Sequence, residues 1–187
     1  MDETEDEPTH RPDPTPHAKP QRPKWIGWVR DLSIFAIVIF AITWFQTSDH
    51  VRDAAPQFDL AVLDSDARVS SAQLLGKPTL IYFWAPWCGV CEVSSSNVSS
   101  VRDAVGDDYN VVSMVLDFAS EDDVRDFMQR TESDHPVLLG DRAQSRQWAV
   151  TSFPTIYILD EEGAVSSSVV GYTTTLGMRA RLWWAAL

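Results

Sequence analysis

The stretch that decides the fold reads Phe83-Trp84-Ala85-Pro86-Trp87-Cys88-Gly89-Val90-Cys91. Ahead of it, Thr79 to Trp84 is a continuous apolar run of β-branched and aromatic residues, the composition of a buried parallel strand. Behind it, a helix is expected from about Gly89 to Val105, with Val98, Val101 and Val105 at helical spacing. Ser94, Ser95, Ser96, Ser99 and Ser100 read most simply as that helix's solvated face. The two cysteines therefore fall where a strand gives way to a helix. A thiolate there meets unpaired backbone N–H groups and the positive end of the helix dipole, and both stabilise the anion.

Cys88 comes first and is expected to be the exposed nucleophile. Cys91 lies one turn further on, on the same helical face but deeper, placed to attack a mixed disulfide on Cys88 and release a reduced client. With two cysteines in 187 residues, the fold does not depend on a disulfide framework. A CxxC can also be half of a zinc site. Zinc would need two further ligands, and the four histidines (His10, His17, His50 and His135) are scattered. The expectation is no metal and no external cofactor, the redox group being the Cys88–Cys91 pair itself.

Working outward, strands and helices alternate. Upstream, Phe58 to Leu63 reads as a strand, and Val69 as a second short one before a helical turn at Ala72 to Leu75; Gly76-Lys77-Pro78 then punctuates the chain. Downstream, Asn110 to Leu116 is another buried strand. Ser120 caps a helix to about Arg130, with Glu121, Asp122 and Asp123 in the first turn, where the dipole favours acids. Arg142 to Trp148 is a short helix. Thr155 to Leu159 and Val165 to Val170 form a hairpin across Asp160-Glu161-Glu162-Gly163. The last helix puts Leu176, Ala180, Trp183, Trp184 and Leu187 on one stripe. This order predicts an α/β sandwich with a mixed sheet. In Ser152-Phe153-Pro154-Thr155, about 65 residues after the cysteines, the proline opens a strand, where its missing N–H costs nothing. A cis bond there would present the Phe153 backbone beside Cys88 for pairing with an extended client.

The chain divides into residues 1–24, 25–46, 47–57 and 58–187. The first segment holds six of the eleven prolines and an acidic run, Asp2 to Glu7, and reads as a disordered tail. The second contains the apolar run Leu32 to Phe45, extended forward by Trp25, Ile26, Trp28 and Val29, and reads as a transmembrane signal anchor. Trp25, Trp28 and Trp44 sit where an aromatic belt would lie. Arg22, Lys24 and Arg30 on the leading flank, against Arg52 alone behind, place the tail in the cytoplasm and the C-terminal domain outside it. A cleaved signal peptide has a run of similar length, but no small-x-small site closely follows Phe45. A buried core helix is the third reading. Residues 47–57 form a polar linker. The formal net charge of −12 argues against a nucleic-acid partner, because phosphate binding needs clustered Lys and Arg.

The string from Tyr82 to Cys91, then Phe153-Pro154-Thr155, then Arg179-Ala180-Arg181-Leu182-Trp183-Trp184-Ala185 resembles the thioredoxin superfamily in its membrane-anchored TlpA/ResA-like branch. Within that branch the chain most resembles protein disulfide oxidoreductases of the suppressor-for-copper-sensitivity D (ScsD-like) type. The resemblance covers roughly residues 58 to 187 and implies a thioredoxin fold with an N-terminal β extension and a cis Pro154. It implies an enzyme of the bacterial inner membrane with its redox domain in the periplasm. Its clients would be proteins with cysteines or disulfides, docked at Trp87, Phe153 and Pro154, and a membrane thiol-electron transporter is a possible partner. Three departures matter. Gly89-Val90 stands where thioredoxin has Gly-Pro, and Tyr82 stands where it has a buried acid, so Gly89, Val90 and Tyr82 are the positions expected to tune the redox pair. The base for Cys91 is then unidentified, Glu92 reading as a solvent-facing residue. Ala85 stands where a peroxidase-type redoxin has threonine. A reductase is the preferred direction, an oxidant the rival, and a redox-regulated binding module for copper tolerance the alternative from another class.

Overall fold

The computed structural model describes residues 54–187, together with Ser33, Ile34 and Ile37, which are helical. The tail, nearly all of the anchor and most of the linker lie outside the described residues. Among the described residues no helix is long and apolar enough to cross a membrane.

The strands are β1 (Asp59–Ala61), β2 (Arg68–Ser70), β3 (Thr79–Trp84), β4 (Asn110–Val115), β5 (Val137–Leu139), β6 (Thr155–Leu159) and β7 (Val165–Val170). The helices are α1 (Gly89–Val105), α2 (Glu121–Arg130), α3 (Arg142–Gln147) and α4 (Thr175–Ala185). β1 and β2 pair antiparallel as a separate two-stranded sheet, followed by a 3-10 turn at Ser71–Leu74. The main sheet has the order β5-β4-β3-β6-β7. β3 runs parallel to β4 and antiparallel to β6, so the sheet is mixed, as the alternation of elements implies.

β3 is central, and all six of its residues are buried. Because side chains alternate across a strand, Leu80, Tyr82 and Trp84 enter one core with Cys91, Val98 and Val101 of α1, Val124 and Phe127 of α2, and Met178 and Leu182 of α4. Ile81 and Phe83 enter the opposite core with Trp148, Tyr157, Phe58 and Leu74. The carboxyl ends of the parallel strands are tied together: Leu116 N–H donates to Trp84 O at 2.8 Å, and Gly140 N–H to Val115 O at 3.0 Å. Crevices outside such strand ends are where ligands meet open α/β sheets, and Cys88 lies there.

Two sequence expectations change. Ser94, Ser95 and Ser99 are buried; only Ser96 and Ser100 of the serine run are exposed. Each buried hydroxyl has a partner: Ser94 donates back to Val90 O at 2.9 Å, Ser95 lies 3.0 Å from His135 Nε2, and Ser99 Oγ accepts Asp134 N–H at 3.1 Å. The stripe Leu176, Ala180, Trp183, Trp184 and Leu187 faces outward, and α4 docks instead through Met178 and Leu182. The entry to α4 accounts for this. Asn97 Nδ2 of α1 donates to Tyr172 Oη (3.2 Å) and Thr173 O (3.3 Å), and Thr174 Oγ1 caps the helix by accepting Gly177 N–H at 3.2 Å. The phase of the helix is thus set before its apolar residues begin.

Gly140 closes the loop behind the strand ends, where a Cβ would lie 2.6 Å from Leu116 Cδ2, 2.9 Å from Met114 Cγ and 3.1 Å from Val115 O. Gly140→Ala is therefore expected to lower unfolding free energy by about 1–3 kcal/mol through overpacking. Urea denaturation with an unchanged m-value checks this; an unaltered midpoint would show that the two side chains move aside freely.

Candidate active site

β3 delivers the chain to a tight turn. Cys88 N–H donates to Ala85 O at 3.1 Å, and Cys88 takes an extended conformation as the N-cap of α1. A cysteine so placed turns its sulfur toward the first helical amides: Cys91 N–H donates to Cys88 Sγ at 3.2 Å. Cys88 and Cys91 form a disulfide, with Cα atoms 5.2 Å apart. Cys91 is fully buried and Cys88 is 7% exposed. Cys88, expected to be exposed, is buried in this oxidised form, though slightly less so than Cys91. Both cysteines belong to the core cluster that also holds Tyr82 and Trp84.

The surrounding positions divide. Trp87 is 65% exposed, yet its ring is held: Nε1 donates to Asp117 O at 2.9 Å, and the ring meets Phe153 edge-on at 5.7 Å. Asp117 takes a positive φ of 53° just beyond β4, the kind of turn that Asp tolerates. Phe153 is half-buried and packs against the cysteine-containing core; the Phe153–Pro154 bond is cis. The structure thus brings Trp87 and Phe153 together beside the cysteines. On either side of Trp87 lies a hollow. One, about 240 Å³, is lined by Phe118, Asp123, Asp126 and Arg130. The other, about 350 Å³, is lined by Asp117, Asp141, Arg142, Ser152 and Phe153. Gly89 and Val90 are exposed, and a Cβ at Gly89 would meet nothing within 4 Å. Ala85, fully buried, puts a methyl group and no hydroxyl behind Cys88.

Tyr82 lies under the pair, and its hydroxyl donates to Cys91 O at 3.1 Å. Burial pushes that hydroxyl far above its ordinary range, so it keeps its proton and is no base for Cys91. Glu92 is exposed and ion-paired with Arg130 at 3.1 Å, as a solvent-facing residue would be.

The polar group that the sequence concealed is His135. It is 2% exposed, sits edge-on to Tyr82 with ring centroids 6.0 Å apart, and pairs through Nε2 with Ser95. Ser133 Oγ donates to Ser95 Oγ at 2.7 Å, and Thr131 Oγ1 to Ser133 Oγ at 2.9 Å, so a line of hydroxyls runs from α1 to the end of α2. One signal was available: Cys91, Ser95 and Val98 are spaced four and three apart, so an inward Cys91 and Val98 require an inward Ser95. Nothing local marks its partner, forty residues away. Among the described residues no group of three or more His, Cys, Asp or Glu side chains could hold a metal ion.

Burial lowers the His135 pKa from 6.5 to about 4. The folded state thus refuses a proton that the unfolded state accepts. The His135 contribution to stability is full above pH 6.5 and is lost progressively as pH falls toward 4. Between those limits it should amount to about 3 kcal/mol. Urea unfolding of wild type and His135→Gln at the two ends of this window checks it: wild type should lose more stability on acidification than the variant. Equal losses would mean that His135 titrates normally.

Residues 51–168 match the AhpC/TSA family. A thioredoxin-like protein of Haemophilus influenzae is 29% identical over 157 residues, 82% of this chain and 92% of that one. The thioredoxin-like protein YneN of Bacillus subtilis is 32% identical over 130 residues, 68% of this chain and 76% of that one. Other relatives are named thiol:disulfide interchange protein DsbE and thiol-disulfide oxidoreductase ResA. Among solved structures, a thioredoxin-family thiol:disulfide interchange protein of Chlorobium tepidum superposes with a TM-score of 0.64 at 23% identity, covering 73% of this chain and 98% of that one. That likeness establishes the thioredoxin fold.

Proposed function

Because the chain belongs to the AhpC/TSA family and is a thiol–disulfide oxidoreductase of the thioredoxin/DsbE kind, we propose that it reduces disulfides in periplasmic client proteins, as a single-pass protein of the bacterial inner membrane. In this reading Cys88 of the CGVC motif is the nucleophile and Cys91 the resolving thiol. Trp87, Phe153 and Pro154 receive the client chain, while Gly89, Val90 and Tyr82 tune the pair. The carrying observation is the N-cap sulfur of Cys88, which already accepts the Cys91 N–H and would keep that donor as a thiolate. The ScsD-like resemblance and the apolar, Arg-flanked segment 25–46 support the membrane placement. The resemblance to tethered TlpA/ResA-like proteins favours the reducing direction, with electrons supplied by a membrane thiol transporter.

The reaction balances within the two thiols and the client. The Cys88 thiolate attacks one sulfur of the client disulfide; a Cys88–client bond forms, and the other client sulfur leaves as thiolate and takes up a proton. Cys91, deprotonated, then attacks Cys88 Sγ and expels the second client thiolate. The client gains two electrons, and the protein ends with the Cys88–Cys91 disulfide seen here. Tyr82, holding the Cys91 carbonyl, fixes the first turn while the sulfurs exchange partners.

Full-length Cys91→Ala expressed in a bacterium should accumulate mixed disulfides between Cys88 and envelope proteins, because the resolving attack is gone. These adducts should sediment with the inner membrane and exchange with a membrane-impermeant thiol reagent added to the periplasmic side. Trapping by Cys88→Ala instead would reverse the two roles, and adducts reachable only from the cytoplasm would overturn the topology.

The intervening dipeptide sets the potential. Val90 is the second residue of α1, where the N–H is unpaired and proline would stiffen the turn without breaking the helix. The wild-type potential should be less negative than the roughly −270 mV typical of thioredoxin, and Val90→Pro should move it in the reducing direction. Equilibration in glutathione buffers reads both; a wild-type value at or below that figure, or an oxidising shift, would refute this account of Val90.

A further inference from the structure

α4 carries apolar residues on two faces, and only one of them is covered by the core. At 100° per residue, Leu176, Ala180 and Trp183 fall within one narrow stripe, with Trp184 at its edge; Leu187 follows the helix, which ends at Ala185. This stripe points outward: Leu176 is 75%, Trp183 59% and Trp184 69% exposed, while Met178 and Leu182 on the opposite side are fully buried. Arg179 flanks the stripe on one side and Arg181 on the other. Neither has an ion-pair partner among the described residues. The chain carries 27 acidic residues, yet none comes after Glu162. The only charged side chains after Glu162 are thus Arg179 and Arg181, which flank the stripe.

We infer that this outward face of α4 docks on an anionic phospholipid surface. A bilayer interface offers what the face asks for at two depths. The upper acyl chains take Leu176, and the headgroup boundary suits the half-polar indoles of Trp183 and Trp184. Lipid phosphates stand level with arginines that can bend toward them. A second copy fits less well, because a two-fold pairing of this face would bring Arg179 and Arg181 against the same arginines of the other copy. Such docking is independent of the thiol chemistry, as α4 contributes Met178 and Leu182 to the core but neither Trp183 nor Trp184.

The test uses the full-length chain reconstituted in phosphatidylcholine vesicles with and without roughly 30% phosphatidylglycerol, the acyl chains brominated as contact quenchers. Subtracting the emission of Trp183→Phe/Trp184→Phe from that of wild type isolates the two indoles from the other tryptophans. Insulin reduction by the variant confirms that the domain is folded. The difference emission should be quenched by roughly twofold or more in the anionic vesicles, and clearly less in neutral vesicles or with Arg179→Gln/Arg181→Gln. Difference emission that bromine leaves unquenched in anionic vesicles would overturn the inference, whether the indoles are then wet, paired with a second copy or covered by the chain's own N-terminal segment. Equal quenching in neutral vesicles would overturn its electrostatic half.

Discussion

β3 is a strand with no side open to water. Both faces are covered and both edges are hydrogen-bonded, to β4 and to β6. Such a strand cannot drift in register, because a one-residue slip would exchange the Leu80, Tyr82, Trp84 face with the Ile81, Phe83 face. Its carboxyl end is therefore a fixed point, from which the chain turns through Ala85 to Cys88 and starts α1. The geometry of the sulfur pair is inherited from that anchoring, and so is the position of Tyr82 beneath it.

The chemistry of the buried floor comes from the side chains that this strand carries. In place of a titrating acid, β3 offers a phenol that keeps its proton, and the neighbouring imidazole is neutral in its ordinary state. The floor beneath Cys91 thus holds dipoles and no charge. Among the described residues no Asp or Glu is buried in that core, so no internal carboxylate stands there to receive the Cys91 proton.

Local chemistry determines the parts of the fold that were legible in the sequence. An apolar β-branched run must be buried, a CxxC after it must open a helix, and Ser120 must cap the helix that begins at Glu121; the structure has each of these. The misread positions are those where two faces compete. The serine run of α1 looks polar and hence wet, but buried hydroxyls are tolerated when each finds a partner: Ser94 finds its own in Val90 O one turn back, and those of Ser95 and Ser99 come from residues 133–135, far along the chain. In α4 the wider apolar stripe is the one left outside, because the Asn97 and Thr174 hydrogen bonds set the helix phase and periodicity alone cannot report them. His135 has no local signature at all. The apolar segment 25–46, legible as composition, lies almost wholly outside the described residues.

The hold on Trp87 has a consequence for encounter. An exposed indole is ordinarily free to sample rotamers, and a partner that uses it must quench that freedom on contact. Here the Asp117 carbonyl pins one end of the ring, and Phe153 meets it edge-on at 5.7 Å. The rotameric entropy of Trp87 is therefore lost when the protein folds, not when a second molecule arrives. A broad aromatic surface that is already stationary can contribute to a brief contact at little cost in order.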